Sequence, residues 1–260
     1  MKTSVLFAML LSLPATAGTT AMPAGPEPVM TTTTDAGWEF TLGLYGWGAG
    51  LDGTLGVAGF TAPVDLSFSD ILGTLDMTVM GAAELRRGNW LFQLEGLYLR
   101  NSVKGIIATR PLLPSPTAKL TAETTRLEAV AGYRIVENGT TTVDLLAGAV
   151  YYDITNTLNF YGPFAVRGVT AGDEWIDPVV GVRVNQRLGD RWSGQLRAEV
   201  GGFGVNADLV WQAIALLGYG FTESSTGFIG WRHAAVDYRN GGFIYDVYNT
   251  GPILGLALRF

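Results

Sequence analysis

Alternation constrains this chain more than any other feature. From Trp175 onward, Trp175, Asp177, Val179, Gly181, Arg183, Asn185 and Arg187 take one set of positions, while Ile176, Pro178, Val180, Val182, Val184 and Leu188 take the other, interrupted at Gln186. Successive side chains of a strand point to opposite faces, so these sets separate into a polar face and an apolar one. The pattern recurs as Gln195, Arg197 and Glu199 against Trp192, Leu196, Ala198 and Val200, and as Arg126, Glu128 and Arg134 against Leu127, Ala129, Tyr133 and Ile135. A period of two repeated along most of the chain predicts an all-β protein.

A soluble sandwich also alternates, so other features must decide the environment. Only 15% of the residues are charged while 48% are hydrophobic, against about 25% charged in ordinary soluble domains. The mature chain has no apolar run of about 18 residues, the length a membrane helix needs. Between Leu209 and Phe221 the apolar face has Trp211 at one end, Tyr219 and Phe221 at the other, and Ala213, Ala215 and Leu217 between them. Aromatic residues flanking an apolar band are what two membrane interfaces select. Trp38, Trp90, Trp192, Trp211, Tyr219 and Phe221 are therefore the candidate aromatic girdle. On Leu209–Phe221 the second face is apolar as well, through Val210, Ile214 and Leu216, and a buried helix gives the same run. The segment is read as a strand because its neighbours need an antiparallel partner. A net charge of -6 argues against nucleic acid, and the absence of cysteine excludes a disulfide scaffold.

Residues 1–17 read as a secretory signal peptide, with Lys2 first, an apolar run from Val5 to Leu13, and Ala15-Thr16-Ala17 before the expected cleavage near Ala17. Residues 18–36, rich in Thr, Pro and Ala, read as a flexible periplasmic arm, and 37–260 as the barrel. Tight turns are expected at Arg87-Gly88-Asn89, Glu137-Asn138-Gly139, Gly189-Asp190-Arg191 and Thr222 to Thr226. Longer loops are expected over Asp52–Thr74, Asn101–Lys119 and Asn156–Gly172, with a shorter one at Asn240–Tyr245. Short turns at one end and long loops at the other predict a transmembrane antiparallel up-and-down β-barrel. The segments number ten: 37–51, 75–86, 90–101, 120–136, 140–155, 174–188, 192–205, 208–221, 227–239 and 246–260, with eight or twelve as alternatives.

The last residues, Gly255-Leu256-Ala257-Leu258-Arg259-Phe260, resemble the C-terminal assembly signal of outer-membrane barrels, carried by Gly255, Leu258 and the terminal Phe260, although Ile253 stands where a polar residue is usual. Phe68-Ser69-Asp70-Ile71-Leu72, Glu84-Leu85-Arg86-Arg87-Gly88 with Trp90, Asp208-Leu209-Val210-Trp211-Gln212 and Trp231-Arg232 resemble a largely uncharacterised family of proteobacterial outer-membrane proteins. The resemblance implies a Gram-negative outer-membrane location, assembly by the barrel assembly machinery and contact with lipid and lipopolysaccharide; it implies no activity. Phe68–Leu72 is expected as a short helix over the barrel mouth, capped by Ser69 or Asp70, or as an ordered turn.

If the polar face points inward, Glu39, Asp76, Glu84, Glu95, Glu128, Asp144, Asp177 and Glu199 meet Arg86, Arg126, Arg134, Arg183, Arg187, Arg197, Arg232 and Arg259 in the lumen, beside Tyr45, Trp47, Tyr152 and Phe203. Charges in a narrow barrel must pair or be hydrated, and arginine's planar fork suits carboxylates. The expectation is a monomeric, ion-paired barrel, either structural or a small, weakly selective porin-like channel. The alternative is a surface protein whose loops bind lipopolysaccharide or a partner, with Lys104, Arg110 and Lys119 as candidate contacts. Catalysis is not expected: His233 is the only histidine, faces outward if Arg232 faces in, and has no serine beside it. No cofactor or metal is expected, since Asp173-Glu174 alone is a weak cation site and no glycine run has a phosphate-loop context.

Overall fold

The computed structural model describes residues 37–57, 60–106, 117–161 and 166–260. The leader, the arm, Arg110 and the prolines at 111, 114, 116 and 163 lie outside them. The described chain runs β1 (Glu39–Trp47), β2 (Gly50–Val57), β3 (Phe60–Leu66), α1 (Phe68–Leu72), β4 (Leu75–Arg87), β5 (Trp90–Ile106), β6 (Thr117–Glu137), β7 (Thr141–Tyr161), β8 (Val166–Arg187), β9 (Trp192–Gly202), β10 (Leu209–Gly220), β11 (Ser225–Asn240) and β12 (Phe243–Arg259). Strands β1 and β4 to β12 pair antiparallel in sequence order, and β12 returns to β1 to close a ten-stranded barrel. At the seam the register runs from Thr41 opposite Arg259 to Trp47 opposite Ile253, and the Phe260 N–H donates to the Phe40 carbonyl at 2.8 Å.

The two extra strands arise from an interruption. β1 and β2 succeed one another along β12, with the break at Gly48 and Ala49 opposite Gly251 and Pro252. Pro252 has no N–H to give the ladder, and a Cβ on Gly251 would meet the Gly48 carbonyl oxygen at 2.1 Å. The strand jogs there, β2 continues up β12, and β3 folds back on β2 before α1 leads into β4. Pro63 sits on β3, the edge strand, where a missing donor costs least. The expected loop over Asp52–Thr74 is thus a hairpin and a helix. Helix α1 is capped by Ser67 rather than by Ser69 or Asp70: Ser67 and Asp70 form a reciprocal capping box.

The other two expected long loops are corrected too. β5 runs to Ile106 and β6 starts at Thr117, while β7 runs to Tyr161 and β8 starts at Val166. Alternation of apolar residues stops where the apolar band stops, but pairing continues with threonine and asparagine outside it, as in the 3.2 Å contact between the Thr157 and Thr170 hydroxyls. β9 and β10 are much shorter, and the chain between them turns at Gly202 (φ 84°) and Phe203 (φ 54°). Phe203, expected to face inward, stands on this turn 58% exposed.

Outward side chains form an apolar surface that includes Phe92, Leu94, Leu127, Leu145, Val180, Leu196 and Leu254, all exposed. Outward charges begin above it, where Arg100 pairs with Glu123 (3.5 Å) and Arg239 with Asp237 (2.9 Å) and Asp246 (2.7 Å). The packed core therefore lies inside the barrel.

Candidate functional site: the lumen

Inward positions carry two ion-paired clusters. Nearer the tight turns, Asp144 of β7 takes Arg134 Nε (3.2 Å), Arg86 Nη2 (3.2 Å) and Arg183 Nη2 (2.9 Å), and Arg183 reaches across to Glu84 of β4 at 2.5 Å. Deeper, Glu95 of β5 accepts from the Tyr45 hydroxyl and from Arg232 Nη1, both at 2.5 Å, with Arg126 at 3.7 Å and Arg197 at 3.8 Å. Arg197 also donates to Glu128 (2.5 Å) and Glu199 (2.7 Å), and Arg126 pairs with Glu128. Three arginines meet three carboxylates, all nearly solvent-free. Gln212 bridges them, donating to Glu128 at 3.0 Å and to Glu199 while accepting from Arg232 Nη2 at 2.6 Å. Sequence reasoning missed this amide because it selected charges only.

Above the deeper cluster the lumen is apolar. Trp47, Leu51, Met80, Leu97, Leu99 and Ile253 pack with Ile71, which α1 lowers into the barrel until it is fully buried. On the opposite wall Tyr152, Trp175 and Tyr238 stack, with centroid separations of 5.1 and 3.8 Å, beside Phe243. The Arg232 guanidinium lies 4.7 Å from the Trp47 ring centroid and that of Arg126 lies 5.8 Å from Tyr152. Each cationic face rests on a ring, so the charged layer packs directly against the apolar one.

The remaining candidates fall elsewhere. Asp76 is exposed at the outer rim, 4.0 Å from Arg100, and Arg259 donates to the Glu223 carbonyl at the turn end, 3.0 Å away. Glu39 lies half-buried at that same end. A bulge between Leu75 and Met77 turns Asp76 toward the outward-facing Arg100, whereas Glu39 and Arg259 keep the inward parity but lie at the turn end, because period two fixes a face and not a depth. Asp177 is buried but holds no cation; it accepts the N–H groups of Asn206 (3.1 Å) and Ala207 (3.0 Å) and fixes the β9–β10 turn. Lys104 and Lys119 do not sit on a loop, being cross-strand partners in β5 and β6. Trp38, Trp90, Trp192, Tyr219 and Phe221 cluster at the tight-turn end and Trp211 at the other, with Trp90 on Tyr133 (4.9 Å) and Trp192 on Tyr219 (5.0 Å). Trp211 and Tyr219 stand eight positions apart on β10, or roughly 26 Å along a strand rising about 3.3 Å per residue. His233 stacks outward between Trp211 (4.9 Å) and Tyr248 (5.8 Å). Gly255 faces the seam, where a Cβ would meet the Phe228 ring at 2.4 Å, while Leu258 and Phe260 face outward.

Among solved structures the chain is similar to the outer-membrane protease OmpT of Escherichia coli, at 10% identity and TM-score 0.50, over 86% of this chain and 96% of that one. The chain has the fold of outer-membrane β-barrels. The barrel is also matched, at lower structural similarity, by the translocator domain of autotransporter NalP from Neisseria meningitidis (11% identity, 89% and 91% covered, TM-score 0.43) and by the attachment invasion locus protein Ail of Yersinia pestis (10%, 87% and 100%, 0.36). No family model and no curated protein matches the sequence. The barrel fold supports an outer-membrane location, and in barrels of that membrane the tight turns generally face the periplasm.

Proposed function

We propose that this barrel is a surface interaction protein rather than an open channel, working through the sheet it raises outside the membrane. The observation that supports this reading is the packed lumen, in which an ion-paired layer of buried side chains is topped by an apolar one. Its strands also support the reading. β7 and β8 have 21 and 22 residues and β9 and β10 only 11 and 12, so the outer half of β8, up to Pro178, pairs with β7 alone. Such an edge offers backbone donors and acceptors to an extended segment of a protein partner. Lipopolysaccharide phosphates find less there, because Arg100 and Arg239 are already paired with carboxylates. This reading assigns no catalytic role to the barrel; His233 is held between two rings on the outer surface.

A photo-crosslinking residue placed at Thr170 in intact cells tests the proposal. A discrete protein adduct is expected from Thr170 in the heat-modifiable, folded barrel, and none from a probe at lipid-facing Leu196. The same adduct from lipid-facing Leu196, or none from Thr170, would overturn it. A gated pore is the second reading, favoured by a cavity of about 200 Å³ in the periplasmic half of the lumen.

A further inference from the structure

That cavity has the makings of a binding site. It is bounded at the periplasmic end by Ser224 and Arg259 and at its inner end by Arg197 and Arg232. Between these ends the wall is mainly apolar, through Ala82, Ile214, Leu216, Phe228 and Ile253, and is joined by Glu84 and Arg183, which pair with each other, and by Glu95, which pairs with Arg232. The inner end has donors to spare. Nε of Arg197 and Nε of Arg232 are buried without a hydrogen-bond partner, on residues 4% and 1% exposed. Neighbouring carboxylates are already engaged: Glu95 with Tyr45 and Arg232, Glu128 and Glu199 with Arg197 and Gln212. Leaving a buried donor unmade costs about 1–3 kcal/mol and more for a charged group, and native interiors seldom tolerate it. A carboxylate is the acceptor that guanidinium groups recognise best.

We propose that the cavity binds a small amphipathic carboxylate from the periplasm, with the anionic head at Arg197 and Arg232 and the apolar body along Ile214, Leu216 and Phe228. Size selects the class. An apolar cavity of about 150 Å³ holds one benzene, so 200 Å³ takes a ring or a six-carbon chain with its carboxylate. The site lies below the layer that seals the lumen, so the ligand enters and leaves on the same side. The inference stands apart from the partner proposed for the outer sheet.

The test uses sodium benzoate as the probe, titrated by calorimetry and ligand-observed NMR against the full mature chain in lipid nanodiscs. Saturable one-site binding is expected, at least tenfold tighter than for neutral benzyl alcohol. Ala82→Phe places a ring in the cavity and should weaken binding at least tenfold, whereas Ala83→Phe, on the lipid face of the same strand, should bind as the unmodified chain does. Ala257→Leu fills the same space should Ala82→Phe fail to fold. No saturable binding to the unmodified chain, equal affinity for benzyl alcohol, or unchanged affinity in a folded cavity-filled variant would each overturn the proposal.

Discussion

Replacing Glu95 with glutamine should destabilise the barrel far more than a loss of one surface charge would. Arg126 and Arg197 keep other carboxylates, Glu128 for both and Glu199 for Arg197. Arg232 keeps none: its remaining neighbours are the neutral Gln212 oxygen at 2.6 Å, the Tyr45 hydroxyl at 3.2 Å and the Trp47 ring. One guanidinium, 1% exposed, is therefore stranded in a water-poor layer. Breaking a buried pair from one side costs about 3–5 kcal/mol, which at about 1.4 kcal/mol per decade is two to three and a half decades in the folding equilibrium. Replacing both partners by apolar residues of similar size is often neutral, so Glu95→Leu combined with Arg232→Met should recover most of the loss. Urea titrations of the refolded barrel in short-chain phosphatidylcholine vesicles, followed by tryptophan fluorescence and heat-modifiable mobility, give both values. A Glu95→Gln variant within 1 kcal/mol of the parent, or a double variant as unstable as the single one, would refute the claim that these charges are buried and mutually dependent.

Other expectations follow from the same structure. Asp177→Ala removes the acceptor for two turn N–H groups, so amide hydrogen exchange at Asn206 and Ala207 should accelerate, with a loss of about 1–3 kcal/mol per orphaned donor at most. Ile71→Ala opens a hole under α1 and should cost about 2–5 kcal/mol in the same urea titration, with new protease cleavage near α1. Gly148→Val should abolish the heat-modifiable form, because even a Cβ there would meet the Ala129 carbonyl oxygen at 2.0 Å. Deleting Phe260 removes the seam hydrogen bond to Phe40 and should slow assembly, measured as heat-modifiable protein per cell.

Much of this architecture is legible in the sequence because a single physical rule, alternation across a two-faced sheet, is imposed on every strand. The face of Glu84, Arg183 and Arg232 could be read from their neighbours' parity. Depth could not: Glu39 and Arg259 share that parity yet sit at the turn end, because height along the barrel depends on strand register, which pairing sets, and a bulge between Leu75 and Met77 takes Asp76 off that parity altogether. Strand ends were hidden for a related reason, since the sequence marks the edge of the apolar band and β7 passes beyond it on Thr155, Asn156, Thr157 and Asn159, with β8 paired alongside. The interruption after β1 was signalled by Pro252 and Gly251, but their effect depends on what β12 lies beside. The short helix of Phe68–Leu72 over the barrel mouth was legible, but the full burial of Ile71 beneath it was not, because that depth depends on how the hairpin of β2 and β3 folds.

Single-channel recording in planar bilayers tests the sealed lumen most directly. With the mature chain reconstituted in a folded state, the account predicts a silent bilayer across the voltage range the membrane tolerates. Reproducible, discrete conductance steps from folded barrel would contradict it, because ions would then be crossing both the Glu95–Arg232 layer and the apolar layer above it.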